Sequence, residues 1–469
     1  MRLTRSIAGV VFIGALSAST ARAQVALPAQ DQGLARDVYR QLVEIVTTDS
    51  AGNTPAAARA VADRLIAAGI PAADVQVLTL NPKVGMLVAR LRGTNPRARP
   101  ILLMAHLDVV PAARSDWTVD PYTFLERDGW FYGRGTSDNK AGAATLVTNM
   151  IRWARERWRP SRDIIIALTG DEETAGASIA SLVRDHRELV DAEFALNTDA
   201  GAVHVVNGRA TVFAEQASEK VYDDFQLEAT DAGGHSSLPR AINPIYSLSA
   251  ALMRIGAYRF PVKLNDITRT YFERSAQLDS GQMAADMRAI VQPNPDPRVV
   301  ERLSAIPYYN ARLRTTCVAT RLDGGHANNA LPQRARATVN CRILPGESVD
   351  SVLATLRHLA GDTVQVTPLR QAVPSPPSIP PPALQATIER LAQEQWPGIV
   401  VMPYMETGAT DGLYTRNVGI PTYGLGAVAG DPNDVRAHGR DERVAVDAFY
   451  GAVQFWYRMV KELAGPPRP

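Results

Sequence analysis

Residues 102–111 read LLMAHLDVVP, residues 164–176 read IIIALTGDEETAG and residues 194–201 read FALNTDAG. Each opens on a short apolar run and closes on a polar turn: His106 and Asp108 in the first, Glu172 and Glu173 in the second, Asp199 in the third. A continuous apolar run bounded by a turn is the pattern of a strand buried on both faces. In an open α/β sheet the loops at the carboxyl ends of parallel strands meet in one crevice. A fourth segment, YGRGTSDNKAG at 132–142, brings Asp138, and a distant fifth, DVRAHGRDE at 434–442, brings His438. Imidazole and carboxylate gathered in one crevice suit a divalent metal, zinc foremost.

Outward from these segments, two helices are expected within 34–68, with Leu34, Val38, Leu42 and Ile45 on one face, and strands near 85–91 and 100–105. Ala144, Val147, Met150, Ile151 and Ala154 recur at helical spacing and predict a helix over 139–158. Strands at 163–169 and 194–198 alternate with a helix near 177–190. This is an α/β chain with a mostly parallel sheet. The pattern then changes to strand 221–230, helix 244–257, strands 314–322 and 334–344, helix 349–360 and strand 363–369. That order, βαββαβ, describes a separate α+β unit inserted in the first. An extra segment of helix and loop, about 258–312, lies inside it. The proline-rich run Pro374 to Pro382 reads as a stiff connector leading back. The expected division is a leader at 1–23, a catalytic domain at 24–215 and 373–469, and an inserted domain at 216–372.

Arg2 and Arg5, the apolar stretch Ile7 to Ala18 and the small-residue pattern Ala21-Arg22-Ala23 have the form of a secretory signal. Export to the periplasm or the medium is therefore expected, without a membrane span, because the stretch is short and no later segment reaches spanning length. Loss of Arg2, Arg5 and Arg22 takes the formal charge from +2 to −1. A near-neutral chain without basic runs argues against nucleic acid as partner. The two cysteines, Cys317 and Cys341, cannot staple a protein of 469 residues, so the core must carry the fold.

The set HLDVVP, GRGTSDNKAG, GDEE, GGHSSLP at 233–239 and the late His438 resembles the two-zinc peptidase family of aminoacylase, carnosinase, glutamate carboxypeptidase and succinyl-diaminopimelate desuccinylase. The likeness runs from about 35 to 460. It implies a zinc-peptidase-like catalytic domain with an inserted lid that often dimerises. It further implies that His106, Asp138 and Asp199 hold one zinc and Asp138, Glu173 and His438 the other, with cobalt or manganese as substitutes. Asp138 would bridge, Glu172 would be the general base and the Asp138–Asn139 peptide would be cis. Chemistry gives separate reasons for these types. Two cations about 3.5–4 Å apart repel, and a shared carboxylate relieves this. Asp108 can orient the His106 ring as an acceptor. In the lid, His235 resembles the family's oxyanion-stabilising histidine, supplied in some members across a dimer interface. Asn329 and Arg342 resemble residues that grip a substrate carboxylate, for which the planar guanidinium is suited. Gly408, in ETGATDG, would approach the substrate with its backbone.

Any one of these carboxylates alone would be read as a helix cap or a solvated turn residue. Arg342 alone could equally be a strand-end surface residue, and Gly408 an ordinary turn glycine. His186, His204 and His358 read as structural or exposed, whereas His326 lies close to Asn329. HExxH and GxSxG are absent, and neither cysteine has a nucleophile's context. The expected activity is hydrolysis of an amide bond in a small carboxylate-bearing substrate, a dipeptide or an N-acyl amino acid. Within the family, Asp at the position of Asp199 leans to acylase- and aminopeptidase-like members. The alternatives are a carboxypeptidase-type exopeptidase and, in another class, a non-catalytic binding protein on the same fold. A homodimer through the lid is expected. Cys317 and Cys341 fall twelve residues either side of Asn329 in adjacent predicted strands. They form either a disulfide or two small packed side chains, and a one-residue slip would separate them.

Overall fold

The computed structural model describes residues 26–50 and 52–465. The expected signal segment lies outside them. Among the described residues no helix is long and apolar enough to cross a membrane.

The architecture is α/β. Ten strands form one mixed sheet with a parallel centre, in the order Val75–Thr79, Gly85–Leu91, Ile164–Thr169, Ile101–His106, Phe194–Asn197, Thr422–Gly424, Arg209–Glu219, Ala202–Val206 and Ala429–Gly430. Val400–Glu406 also pairs with Arg209–Glu219, in parallel. Strand Ile101–His106 is parallel to both neighbours, with His106 opposite Thr169 and Met104 opposite Asn197. Successive side chains point to opposite faces. Ile101, Leu103 and Ala105 accordingly join the larger core, with Val147 and Trp153 of helix Lys140–Arg155 and Phe449 and Trp456 of helix Val446–Leu463. Leu102 and Met104 join the opposite core, with Ile179 and Leu182 of helix Ala177–Asp185. Burial on both faces explains the unbroken apolar runs that end in polar turns.

The inserted unit is a four-stranded antiparallel sheet in the order Thr316–Gly324, Arg334–Ile343, Val221–Thr230 and Gln365–Pro368. Helices Pro244–Ala257 and Val349–Ala360 supply Leu248, Ile255, Val352 and Leu356 to its core. Cys317 lies opposite Cys341 and the two form a disulfide, with Cα atoms 4.1 Å apart. Near the loop the register is Arg321 with Thr338. After an irregularity between Ala319 and Arg321 it becomes Ala319 with Val339. That extra residue brings the cysteines opposite one another; without it Cys317 would face Arg342.

The segment expected as an addition to the lid folds into four helices, Asp266–Leu278, Gly281–Ile290, Pro297–Ser304 and Pro307–Leu313. Their core of Tyr271, Phe272, Met287, Leu303 and Leu313 includes Met402 of strand Val400–Glu406. In space the bundle therefore rests on the catalytic sheet.

Candidate metal centre

Because the three strands ending at His106, Thr169 and Asn197 are adjacent and parallel, the turns that follow them emerge at one edge of the sheet. Asp138 comes from the loop before helix Lys140–Arg155. His438 comes from a turn placed beside that loop by the pairing of Arg443–Ala445 with Trp130–Tyr132.

His106 is buried, and its Nδ1–H donates to the backbone carbonyl of Asp108 at 3.0 Å. This tautomer turns Nε2 to the carboxylates, 2.9 Å from Asp138 Oδ1 and 3.3 Å from Asp199 Oδ1. The other oxygen of Asp138 is 3.1 Å from His438 Nε2, which is also 3.0 Å from Glu173. Asp138 thus stands between the two histidines with one oxygen toward each. The Asp138–Asn139 peptide is cis. Asn139 donates through Nδ2 to Asp199 at 3.0 Å and accepts from the Thr198 hydroxyl at 3.1 Å. Gly142 makes room for this: a Cβ there would come within 2.0 Å of Asn139 Oδ1 and 2.1 Å of Thr198 Oγ1.

Asp108 acts on two neighbours. Its carbonyl orients the imidazole, and its carboxylate lies 3.4 Å from Nδ1. That carboxylate also accepts from the backbone N–H groups of Glu172 at 3.2 Å and Glu173 at 2.9 Å. It fixes the turn that carries both glutamates.

Burial opposes charge on His106, but Asp199, Asp108 and Asp138 outweigh it and hold the imidazole well above its ordinary pKa. Hydrogen bonds to Asp138 and Glu173 push His438 up to about 10. Burial, then the Asp199 carboxylate, holds Glu172 well above the usual range, and burial raises Asp199 to about 6. Carboxylates packed this closely call for positive charge between them. Ligand atoms of His106, Asp138 and Glu173, and of His106, Glu172 and Asp199, lie within 4.8 Å of one another. Every one can face a cation with a lone pair, so the donor set fits a divalent metal.

The cleft above these groups has a volume of about 420 Å³. Arg342 and Gly408 line it; His235 and Asn329 do not. His235 is exposed on the short strand Gly234–His235, opposite Ala330, and Asn329 adjoins it through a backbone bond to Ser236. Lys220, Tyr222, Arg370, Glu406, Asp411 and Tyr414, none of them apparent in the sequence, also line the cleft. The guanidinium carbons of Arg342 and Arg370 lie 4.4 and 5.0 Å from the Tyr222 ring centre. Burial pushes the Asp411 carboxyl up to about 8. Beneath the site are two further buried groups, Arg134 and Glu442, which tie the Asp138 loop to the His438 turn.

Residues 102–462 match the profile of peptidase family M20/M25/M40. Among curated proteins the chain is 29% identical over 384 residues to the N-fatty-acyl-amino acid synthase/hydrolase PM20D1 of Mus musculus, covering 79% of this chain and 75% of that one. It is 27% identical over 388 residues to "Probable carboxypeptidase S-like 2" of Dictyostelium discoideum, covering 80% and 74%. Among solved structures it resembles the M20 family metallo-carboxypeptidase Sso-CP2 of Sulfolobus solfataricus, with a TM-score of 0.68 at 16% identity, over 91% of this chain and 98% of that one.

Proposed function

The chain belongs to peptidase family M20/M25/M40, and from that premise we propose an exported two-zinc hydrolase that cleaves the amide bond of a dipeptide or an N-acyl amino acid. The observation that carries this reading is the Asp138 carboxylate, one oxygen on each histidine, with Glu172 beside it. His106, Asp138 and Asp199 would hold one cation and Asp138, Glu173 and His438 the other. Bound there, the cations would supply Lewis acidity and water acid enough to lose a proton near neutral pH.

Glu172 would act as the general base, accepting a proton from the attacking water and delivering it to the departing amine. Asp108 holds Glu172 in place through its backbone N–H. Arg342 receives the substrate carboxylate and the Gly408 backbone borders the scissile end. Carboxypeptidase and N-acyl amino acid substrates share one feature, a carboxylate on the amine side of the bond. The same guanidinium serves both, so the alternative lies in what the acyl side accepts. A binding protein without catalysis finds no support: such a protein would be expected to have lost a ligand or the base, and none is missing.

A homodimer completes the reading. Leu238, Ile242, Tyr246, Met253, Val318 and Leu322 are exposed on the inserted unit, Met253 at 75%. Strand Thr316–Gly324 is an edge strand beside them. Exposed apolar side chains on and around an open sheet edge favour association. His235 and Asn329 lie on this unit outside the lining of their own cleft, where they can serve the site of a second copy.

The test is a hydrolysis screen of dipeptides, N-acetyl and N-fatty-acyl amino acids with zinc, cobalt or manganese supplied. Cleavage that requires the free carboxylate supports the proposal. Protein that retains metal and cleaves none of these substrates overturns it.

A further inference from the structure

Glu442 is fully buried, and five donors converge on its carboxylate. Oε1 accepts from the Ser137 N–H at 2.7 Å, the Ser137 hydroxyl at 2.8 Å and the Asp138 N–H at 3.0 Å. Oε2 accepts from Arg134 Nη1 at 2.6 Å and the Gly135 N–H at 2.9 Å. An ionised carboxylate accepts and cannot donate, so a ring of donors suits it. Arg134 is buried as well, over the Trp117 ring. Its Nη2 reaches on to the backbone carbonyls of His438 at 3.3 Å and Gly439 at 3.0 Å.

Two of the metal-facing side chains therefore hang from one buried ion pair. The two cation sites need it unequally, because the histidine of each is held differently. The His106 side chain is 1% exposed and held by the Asp108 carbonyl, whereas that of His438 is 54% exposed. No packing fixes an imidazole that open to water; its backbone must place it. That backbone sits at φ +61°, in the left-handed region that a residue with a Cβ adopts only when its surroundings hold it there.

We propose that Glu442 and Arg134 are positioning residues that set the spacing of His438 from Asp138, so that the second cation depends on this brace while the first does not. The proposal rests on the two-cation reading above. Groups behind the ligands of a metal site typically contribute 10–100-fold to its affinity.

The experiment titrates metal-free protein with Co²⁺, followed by visible absorption and equilibrium dialysis. His438→Ala identifies which of the two binding steps belongs to the second site. In Arg134→Lys, which keeps the charge beside Glu442 but not the reach to both carbonyls, that step should weaken about 10–100-fold with the other changed less than about 2-fold. Glu442→Gln sets an amide donor among donors and should weaken the same step at least as much. If Glu442→Gln does not fold, Arg134→Lys decides by the same criterion. An unchanged second step in folded Arg134→Lys overturns the proposal, and so does equal weakening of both steps, which marks a general structural role. Wild-type protein that binds fewer than two cobalt ions defeats the two-cation reading itself, a separate and recognisable outcome.

Discussion

Glu172 and Glu173 are neighbours in sequence with opposite environments. Glu173 meets His438 at 3.0 Å, whereas Glu172 groups with His106 and Asp199. Both backbones are held by the Asp108 carboxylate, so a substitution in either side chain leaves the turn in place. Glu172→Gln is expected to lower kcat by at least about 10²-fold, the ordinary contribution of a general base, with metal content intact. Glu173→Gln is expected to lose metal first, and activity with it. Metal analysis of the two purified variants beside their kcat checks this, and equal metal loss in both means the roles are misassigned. At this scale the gathering of His106, Asp138, Glu172, Glu173 and Asp199 was legible because each follows a buried strand or precedes a helix in a recognisable run, whereas His438 was marked only by the family resemblance. Glu442 was not. Its partners lie about 300 residues earlier and are mostly backbone N–H groups, which leave no trace in side-chain pattern. Asp108 was half legible: its place two residues after His106 showed that it would act nearby, but not that its carbonyl faces the ring and its carboxylate the next turn.

Among the elements, the parallel strands were readable because burial on both faces leaves continuous apolar runs, and the inserted βαββαβ unit because one-sided burial leaves alternation. The docking of helices Asp266–Leu278 to Pro307–Leu313 on Val400–Glu406 was not readable, since an amphipathic helix shows that it has a partner but not which. That packing surrounds a buried acid. Glu215, in strand Arg209–Glu219, faces Gln385 and Glu389 of helix Pro382–Gln395, Arg274 of helix Asp266–Leu278, and Tyr423. Burial raises its pKa from 4.5 to about 7. A raised acid binds its proton more tightly folded than unfolded, so its stabilising share is complete below about 4.5 and is lost as pH rises through about 7. Glu215→Gln should therefore melt above wild type at pH 8, by on the order of 3 kcal/mol at most, and close to it at pH 5. Thermal melts at the two values check the sign, and a variant less stable at pH 8 than wild type refutes it. In the inserted unit, the disulfide closes a sequence separation of 24. Cys317→Ser with Cys341→Ser should cost that unit about 3 kcal/mol by loop closure. Differential scanning calorimetry should show the transition of that unit moving down while the catalytic domain's stays.

For the whole molecule, the question is whether one chain holds a complete site. The cleft of a single chain is lined by the metal-facing groups, Arg342 and Gly408, and lacks His235 and Asn329, which sit together on the inserted unit. Exposed apolar side chains, Tyr246, Met253, Val318 and Leu322, lie on the same unit. Two copies joined there by a two-fold axis would each present His235 to the other, because such an interface is self-complementary. This arrangement has a signature that no monomer can give. Alone, His235→Ala would lack the proposed oxyanion donor and Glu172→Gln the proposed base, so each homodimer should be inactive at both sites. When the two variants are expressed together, a mixed dimer pairs the intact Glu172 of one chain with the intact His235 of its partner at one of its two sites. Random mixing makes about half of the dimers mixed, so about a quarter of wild-type activity should return. Each variant purified alone and then assayed side by side without subunit exchange should stay inactive. A co-expressed mixture as inactive as its parents, in protein shown to be dimeric by light scattering, means that each His235 acts within its own chain or does not act at all.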